Sequence, residues 1–189
     1  KNPKDKLDFS APDMQLSRGY LFEKEGDFSE AIQEYSQYIL TETHNAWVYA
    51  HLGDCFRELG QYGDALQFFA KALQLENMYG WAYAQRALTY ILMDNHAEAL
   101  LNLLEAEKYL PPDEWLFAIK GETLRELGEL LEAIDAFQQA IQLKPDYAWA
   151  LAHRGRTFNE LGHYKKGFAD LERALELDPD YIWVYYCMG

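Results

Sequence analysis

Residues 46–79 read AWVYAHLGDCFRELGQYGDALQFFAKALQLENMY, and the chain repeats this pattern with a step of 34 residues. The repetition is clearest for tryptophan, because every tryptophan of the chain falls on the period. The five are Trp47, Trp81, Trp115, Trp149 and Trp183. Chance does not place five such residues on one step. A fixed period of this length predicts stacked structural repeats rather than a closed globular domain.

The copies align beneath one another without an insertion. We predict a tail or linker at residues 1–11, five full repeats, and the start of a sixth repeat at 182–189, where the chain stops partway through the pattern. The full repeats are 12–45, 46–79, 80–113, 114–147 and 148–181. One small column holds Gly19, Gly53, Ala87, Gly121 and Gly155, and a second holds Ala31, Ala65, Ala99, Ala133 and Gly167. Four residues after the second column stand Tyr35, Phe69, Leu103, Phe137 and Leu171.

Within each copy the apolar residues have the spacing of an α-helix. They recur at i, i+3, i+4 and i+7 in two runs of about fourteen residues, which predicts two amphipathic helices per repeat. Glycines suited to the left-handed conformation that ends a helix separate the runs, with Asp94-Asn95 in the third repeat. These glycines are Gly26, Gly60, Gly128 and Gly162. A glycine in the first column lets two helices approach closely, while a large side chain fills the groove beside it. We predict antiparallel helix pairs joined by tight turns, with no strand.

These columns resemble the tetratricopeptide repeat, whose signature places Trp, Leu-Gly, Tyr, Ala, Phe and Pro on a unit of 34 residues. In the second copy the matching residues are Leu52-Gly53, Phe56, Ala65, Phe69 and Ala72. The resemblance extends from about Pro12 to the end, and it implies an all-α fold, a right-handed superhelical solenoid of antiparallel helix pairs. One feature departs from the signature, since each tryptophan lies two residues before its usual place. That place holds Tyr49, Tyr83, Phe117, Leu151 and Tyr185.

The composition limits the classes of partner. Seventeen Lys and Arg against 31 Asp and Glu give a formal net charge of −14. An acidic surface repels phosphate, so we expect neither nucleic acid nor an anionic membrane as partner, while basic peptides fit. Cys55 and Cys187 are interpreted as small apolar residues of a reducing compartment. With no signal peptide and no apolar run of ~20 residues, we expect a cytoplasmic protein.

The chemistry-bearing residues do not form a catalytic motif. None of the five histidines has an i, i+4 histidine partner of the kind that binds zinc. They are His44, His51, His96, His153 and His163. Neither a phosphate-binding glycine loop nor an activated nucleophile is recognisable. We therefore predict a non-catalytic protein with no cofactor and no metal site.

The resemblance also implies where a ligand binds. In tetratricopeptide-repeat proteins the first helix of each pair lines the concave face, which takes extended or helical peptides. Carried over to this chain, the predicted ligand-binding groove contains Trp47, Asp54, Arg57, Trp81, Ala84, Leu88, Ile91, Leu92, Trp115, Glu122, Arg125, Trp149 and Arg156. The third repeat is apolar at these positions, whereas the second and fourth are charged. Burial at the centre would supply affinity, and the flanking charges would supply register.

The tryptophan column has a second interpretation, which we favour. An alanine follows four of the tryptophans by three residues and leaves room for the indole of an adjacent repeat. These alanines are Ala50, Ala84, Ala118 and Ala152. The indoles would then pack mainly between repeats, because five exposed rings of roughly 150–250 Å² each make an unusually large apolar patch. For Leu88, Ile91 and Leu92 we instead favour contact with ligand.

Two further columns have a structural interpretation only. We expect the long cations just before the first small column to lie along neighbouring helices and pair with carboxylates. They are Arg18, Arg86, Lys120 and Arg154. We expect Cys55, Thr89, Thr123 and Thr157 to be buried.

The leading hypothesis is an interaction scaffold that binds a peptide or protein segment in its groove. The alternatives are a structural solenoid that self-assembles, or that spaces or regulates a catalytic domain of a longer protein, and a receptor that stacks a small ligand or glycan on the tryptophans. Residues 182–188 are apolar nearly all round. Because a repeat array needs a polar outer face at its ends, we expect more repeats beyond them, or self-association through the 182–189 end.

Overall fold

The structure, a computed structural model, describes residues 11–188. This part of the chain holds eleven α-helices and no strand, so the predicted all-α fold is confirmed. The helices are α1 (Ala11–Glu25), α2 (Phe28–Tyr38), α3 (Ala46–Glu58), α4 (Tyr62–Leu75), α5 (Gly80–Leu92), α6 (His96–Tyr109), α7 (Glu114–Glu126), α8 (Leu130–Leu143), α9 (Ala148–Glu160), α10 (Tyr164–Leu177) and α11 (Ile182–Met188). The predicted tail lies, apart from Ala11, outside the described residues.

The turns within the pairs have the predicted conformation. A left-handed residue lies one or two positions after the end of the first helix in all five pairs, with φ between 59° for Asp94 and 85° for Gly26. Glycine adopts this conformation without steric cost, and aspartate tolerates it better than most residues do. From α3 onward each odd-numbered helix begins one residue before a tryptophan. Because the turns within the pairs share one conformation, the helices recur with the same spacing as the sequence pattern.

The described part of the chain divides into two compact units, one up to residue 89 and one from residue 90. The first unit contains α1 to α4 and most of α5, and the boundary falls within α5. The second unit contains α6 to α11. In each unit the helices pack against their neighbours along the chain, with the extensive contacts inside the pairs α1–α2, α3–α4, α7–α8 and α9–α10. Each unit is thus a short array of helix pairs.

The small column sets the approach of the two helices in a pair. A Cβ atom built on Gly53 would lie 2.9 Å from the ring of Phe69, and one on Gly121 would lie 2.8 Å from the ring of Phe137. These separations are shorter than van der Waals contact, so the ring occupies the space that a side chain would need. The predicted filling of a glycine groove by a large residue is confirmed in both units.

Three of the predicted cations pair with a carboxylate of the neighbouring helix, as the sequence predicts. Arg18 pairs with Glu34 at 2.6 Å, Lys120 with Glu107 at 2.6 Å, and Arg154 with Asp170 through two bonds of 2.7 Å. The other column with a structural interpretation is buried, and each threonine hydroxyl donates to the carbonyl four residues earlier. Its members are Cys55, Thr89, Thr123 and Thr157.

Candidate functional site

The five tryptophans occupy the first turns of α3, α5, α7, α9 and α11, and all five side chains are half-buried. Trp47, Trp81, Trp149 and Trp183 pack against clusters of buried apolar residues. The cluster beneath Trp81 includes Ala50, and the cluster beneath Trp183 includes Ala152. This arrangement agrees with the favoured interpretation, in which the indole of one repeat packs over the alanine of the preceding one. Each ring nevertheless keeps some surface in contact with solvent.

In the first unit a histidine lies between two of these indoles. The imidazole of His51 is 3.7 Å from the ring centroid of Trp47 and 4.7 Å from that of Trp81, to which it is nearly parallel at 19°. Its Nδ1 lies 2.8 Å from Oε1 of Glu23, a residue of α1. Tyr35 donates a hydrogen bond of 2.8 Å to the other oxygen of the same carboxylate. The stack therefore joins α1, α3 and α5 around one half-buried carboxylate.

The second unit repeats this arrangement. His153 lies 3.8 Å from the ring centroid of Trp149 and 4.6 Å from that of Trp183. Its Nδ1 is 2.8 Å from Oε2 of Glu122 on α7. Sequence reasoning missed both histidine stacks, although a signal was present: a histidine follows the tryptophan by four residues in these two repeats alone. Residues four apart share one face of a helix, so an imidazole at this place meets its own indole.

The charged residues predicted for the groove are mutually paired. Arg57 donates to Asp54 at 2.6 Å and to Glu58 at 2.5 Å. Burial opposes the charge of Asp54 more than Arg57 favours it, so the pKa of Asp54 is raised. Burial also opposes the charge of Arg57, but the two carboxylates outweigh it and raise the pKa of the guanidinium. This cluster is half-buried and therefore presents part of its charge to solvent.

Arg125 takes the equivalent place in the second unit and is more deeply buried. Only 5% of its side chain is exposed, and it contacts Glu122, Glu126 and Glu160. Burial disfavours the charged form of Glu122, but hydrogen bonds from His153 and Arg125 outweigh burial and lower its pKa to about 2. Arg125 is thus saturated by carboxylates and offers little to a ligand.

The other predicted groove residues differ in exposure. Ala84 is buried, Leu88 and Ile91 are half-buried, and Leu92 is 52% exposed. Arg156 of α9 lies 5.8 Å from the ring of Trp183 and pairs with Glu160 at 3.0 Å. That these residues bind a ligand stays a prediction.

Two open cavities in the first unit meet at Trp47, and we call them the Trp47 clefts. The first has a volume of about 470 Å³ and is lined by Leu16, Ser17, Tyr20, Lys24, Trp47 and His51. The second has a volume of about 540 Å³ and is lined by Tyr38, Glu42, His44, Asn45, Ala46, Trp47, Leu75 and Glu76. The first cleft lies on α1 and α3, the first helices of their pairs. Tyr20 and Lys24 occupy the first repeat's positions on the predicted concave face, but this repeat departs from the pattern of the others and the predicted set of binding residues did not include them.

Among residues 11–188 no group of three or more His, Cys, Asp or Glu side chains is placed to hold a metal ion. Within the same residues, no helix is both long enough and apolar enough to span a bilayer.

The helix pairs recur on a constant period and present half-buried aromatic rings and paired charges on their first helices. These features define a helical-repeat protein of the kind that serves as an interaction module. Family models of tetratricopeptide repeats match residues 46–78 and 150–181, and a further TPR repeat model matches residues 121–162. The chain belongs to the tetratricopeptide-repeat family, as its resemblance predicts. Comparison with curated proteins gives no match.

Solved structures of this family share the fold. A MamA protein gives a TM-score of 0.81 at 21% identity, covering 92% of this chain and 94% of its own. A MamA fragment from Desulfovibrio magneticus RS-1 gives 0.85 at 18% identity, covering 92% and 98%. YrrB, described as a TPR protein with an unusual peptide-binding site, gives 0.81 at 20% identity, covering 91% and 89%. At these identities the likeness extends to the fold alone.

Proposed function

We propose that this protein is a non-catalytic scaffold that binds an extended segment of a partner protein across the first helices of its pairs. The observation that carries the proposal is the first Trp47 cleft, where Tyr20 and Trp47 present partly exposed rings beside Leu16. A concave apolar surface with a few polar groups is the usual form of a binding site. The peptide-binding site attributed to YrrB, a neighbour of the same fold, is consistent with this role.

The second Trp47 cleft extends the proposed site and suggests which residues bind there. Glu42 and Glu76 line it, so it favours a lysine or arginine side chain, whereas Lys24 in the first cleft favours a carboxylate. Both volumes lie within the range of small-ligand pockets, about 300–1,000 Å³. Because Trp47 borders both clefts, a segment that fills them crosses the edge of its indole. The indole would then serve both packing and binding.

The predicted groove residues of α5 belong to the same proposal. Leu88, Ile91 and Leu92 would supply the apolar contacts of a longer segment. The charged side chains of Asp54 and Arg57 would set its register, since their half-buried cluster keeps some exposure.

A pull-down from extract of the source cells tests this proposal with a matched pair of variants on α1. Tyr20 and Leu21 are neighbours with 42% and 59% exposure, but only Tyr20 lines the cleft. We expect Tyr20→Ser to lose a partner that the parent protein and Leu21→Ser both retain. A Leu88→Asp/Ile91→Asp variant tests the α5 residues in the same assay. Equal capture by all four proteins would refute binding on this face.

A second candidate function is self-association through α11. Ile182 is 66% exposed, Tyr185 57% and Tyr186 81%. Neighbouring exposed apolar side chains of this kind are typical of interfaces. In light scattering, the mass should rise with concentration for the parent and stay monomeric for Tyr186→Ser. A parent that stays monomeric at every concentration excludes this candidate.

A further inference from the structure

The second unit has an apolar groove formed by α6, α7 and α8, well apart in sequence from the Trp47 clefts. Its volume is about 280 Å³, and its lining is Leu100, Leu104, Lys120, Leu124, Glu132, Asp135, Ala136 and Gln139. We call it the α6–α8 groove. Its floor is the buried pair Leu124 and Ala136, and Leu104 stands at its rim with 42% of its surface exposed.

The repeats of the chain provide an internal standard for judging the exposed leucines of α6. The positions equivalent to Leu104 in the other repeats hold Ser36, Ala70, Gln138 and Glu172. The positions equivalent to Leu101, which is 57% exposed, hold Gln33, Gln67, Asp135 and Ala169. The helix pair itself therefore does not need a large apolar residue at either place. Exposed leucines that the fold does not require point to a surface that another molecule covers.

The charges around the groove indicate the chemistry of that molecule. The amine of Lys120 is 2.6 Å from the carboxylate of Glu107 and is only 13% exposed, so its charge is already neutralised. Glu132 and Asp135 are exposed on α8, and neither forms an ion pair with any residue between 11 and 188. The rim of the groove is thus acidic while its floor is apolar. A complementary surface carries aliphatic side chains next to basic ones.

We propose that the α6–α8 groove docks a partner segment in which leucine-like side chains alternate with lysine or arginine at helical spacing. The aliphatic side chains enter beside Leu100 and Leu104, and the cations face Glu132 and Asp135. This surface is distinct from the Trp47 clefts, so the proposal does not depend on peptide binding there.

The test uses the whole protein and two synthetic peptides, one of leucine and lysine and one of leucine and glutamate, both with helical periodicity. Fluorescence anisotropy of the labelled peptides gives the affinity, and methyl NMR of the leucines gives the place of binding. We expect the leucine–lysine peptide to bind and to shift the methyl signals of Leu100 and Leu104. Binding of the leucine–glutamate peptide with equal affinity would refute the charge complementarity.

Matched variants separate the groove from general attraction to an acidic protein. Leu104→Gln places at this position the residue that the fourth repeat carries there, so the fold is retained, and we expect affinity to fall about tenfold. Glu132→Gln with Asp135→Asn should weaken binding and reduce its dependence on salt. Leu143→Gln, at a leucine of 46% exposure outside the groove, should leave the affinity unchanged.

An equal effect of Leu104→Gln and Leu143→Gln overturns the proposal. So does a protein mass that rises with concentration and falls in Leu104→Gln, since the occupant is then a second copy of the chain.

Discussion

Gly167 lies where α9 and α10 approach closely. The other four repeats carry alanine at this position, yet a Cβ atom on Gly167 would lie 2.0 Å from Oδ1 of Asn159 and 2.7 Å from the carbonyl oxygen of Gly155. Asn159 is not free to move away without cost, because its amide donates a 3.0 Å hydrogen bond to the carbonyl of Cys187 on α11. The missing methyl group thus permits a contact that joins three helices.

Alanine at this position should therefore destabilise the protein, although alanine forms helices better than glycine. We expect Gly167→Ala to lower the free energy of unfolding by about 1–3 kcal/mol, since overpacking forces a helix or the asparagine to shift. Gly63→Ala is the matched control, because a Cβ there meets nothing within 4 Å. It should raise stability by about 0.4–1 kcal/mol through the unfolded state. Urea unfolding measures both, and a stabilising Gly167→Ala would contradict the packing described.

His51 contributes to stability by stacking on the rings of Trp47 and Trp81 and by contacting the carboxylate of Glu23. Its replacement by alanine removes both stacking contacts and leaves Glu23 with Tyr35 as its remaining hydrogen-bond donor in the stack. We expect a loss of about 1–3 kcal/mol in the free energy of unfolding, because a half-buried carboxylate loses a partner. His44→Ala, at an exposed histidine, should change stability by less than about 0.5 kcal/mol. Thermal and urea unfolding would show the difference, and equal effects of the two variants would assign His51 no structural role.

Helix α7 places Glu122 where it contacts both Arg125 of its own helix and His153 of α9. Its pKa falls from the usual 4.5 to about 2 in the folded protein. Because the folded pKa is depressed, the unfolded chain binds the proton more readily as pH falls. The stabilisation is complete above the unfolded value of 4.5 and is lost as pH falls toward 2.

We therefore expect the free energy of unfolding to decrease between about pH 5 and pH 2, with Glu122 contributing on the order of 2 kcal/mol at neutral pH after allowance for solvent screening. Glu122→Gln should remove this contribution at pH 7 and flatten the pH dependence below pH 5. Urea unfolding at a series of pH values gives the comparison. Glu172→Gln, at an exposed glutamate, should keep the parent's pH dependence of the free energy of unfolding. If Glu122→Gln also kept it, the carboxylate of Glu122 would not be the source of that pH dependence.

The helices and their pairing were predictable because they depend on features that recur in every copy. Gly53 and Phe69 stand on the period, so their contact can be inferred by comparing repeats. The histidine stacks were harder to predict from the sequence. Glu23 and Glu122 occupy different positions within their repeats, and each reaches its histidine from 28 or 31 residues away. A periodic pattern carries no information about partners that do not share the period.

The candidate site was predicted unevenly for the same reason. The tryptophans were identified from the period, whereas Tyr20 and Lys24 lie in the repeat that matches the others least. Arg125 was expected to face a ligand, but it is buried and contacts Glu160 of the following pair, a contact that the spacing in the sequence does not indicate. Exposure of a charged residue depends on what packs beside it, and composition alone does not determine that.

The whole molecule carries a formal net charge of −14, and this charge should govern how fast basic partners arrive. We expect the association rate of the leucine–lysine peptide to fall as ionic strength rises, because the Debye length shrinks from about 30 Å at 0.01 M to about 8 Å at 0.15 M. Stopped-flow measurements over this range test the expectation. The dissociation rate should change much less, and an association rate independent of salt would show that the net charge does not steer binding.

The two histidine stacks also affect the intrinsic tryptophan fluorescence of the protein. An imidazole that stacks against an indole changes the surroundings of that indole and therefore its fluorescence. Trp47 and Trp81 share one such imidazole, and Trp149 and Trp183 share another, while Trp115 belongs to neither stack. Replacing one of the two histidines should therefore change the emission of the two tryptophans that it contacts and leave the other pair unaffected. Comparing the emission of His51→Gln and His153→Gln with that of the parent assigns a fluorescence signal to each unit, so each unit can be followed during unfolding without an attached dye.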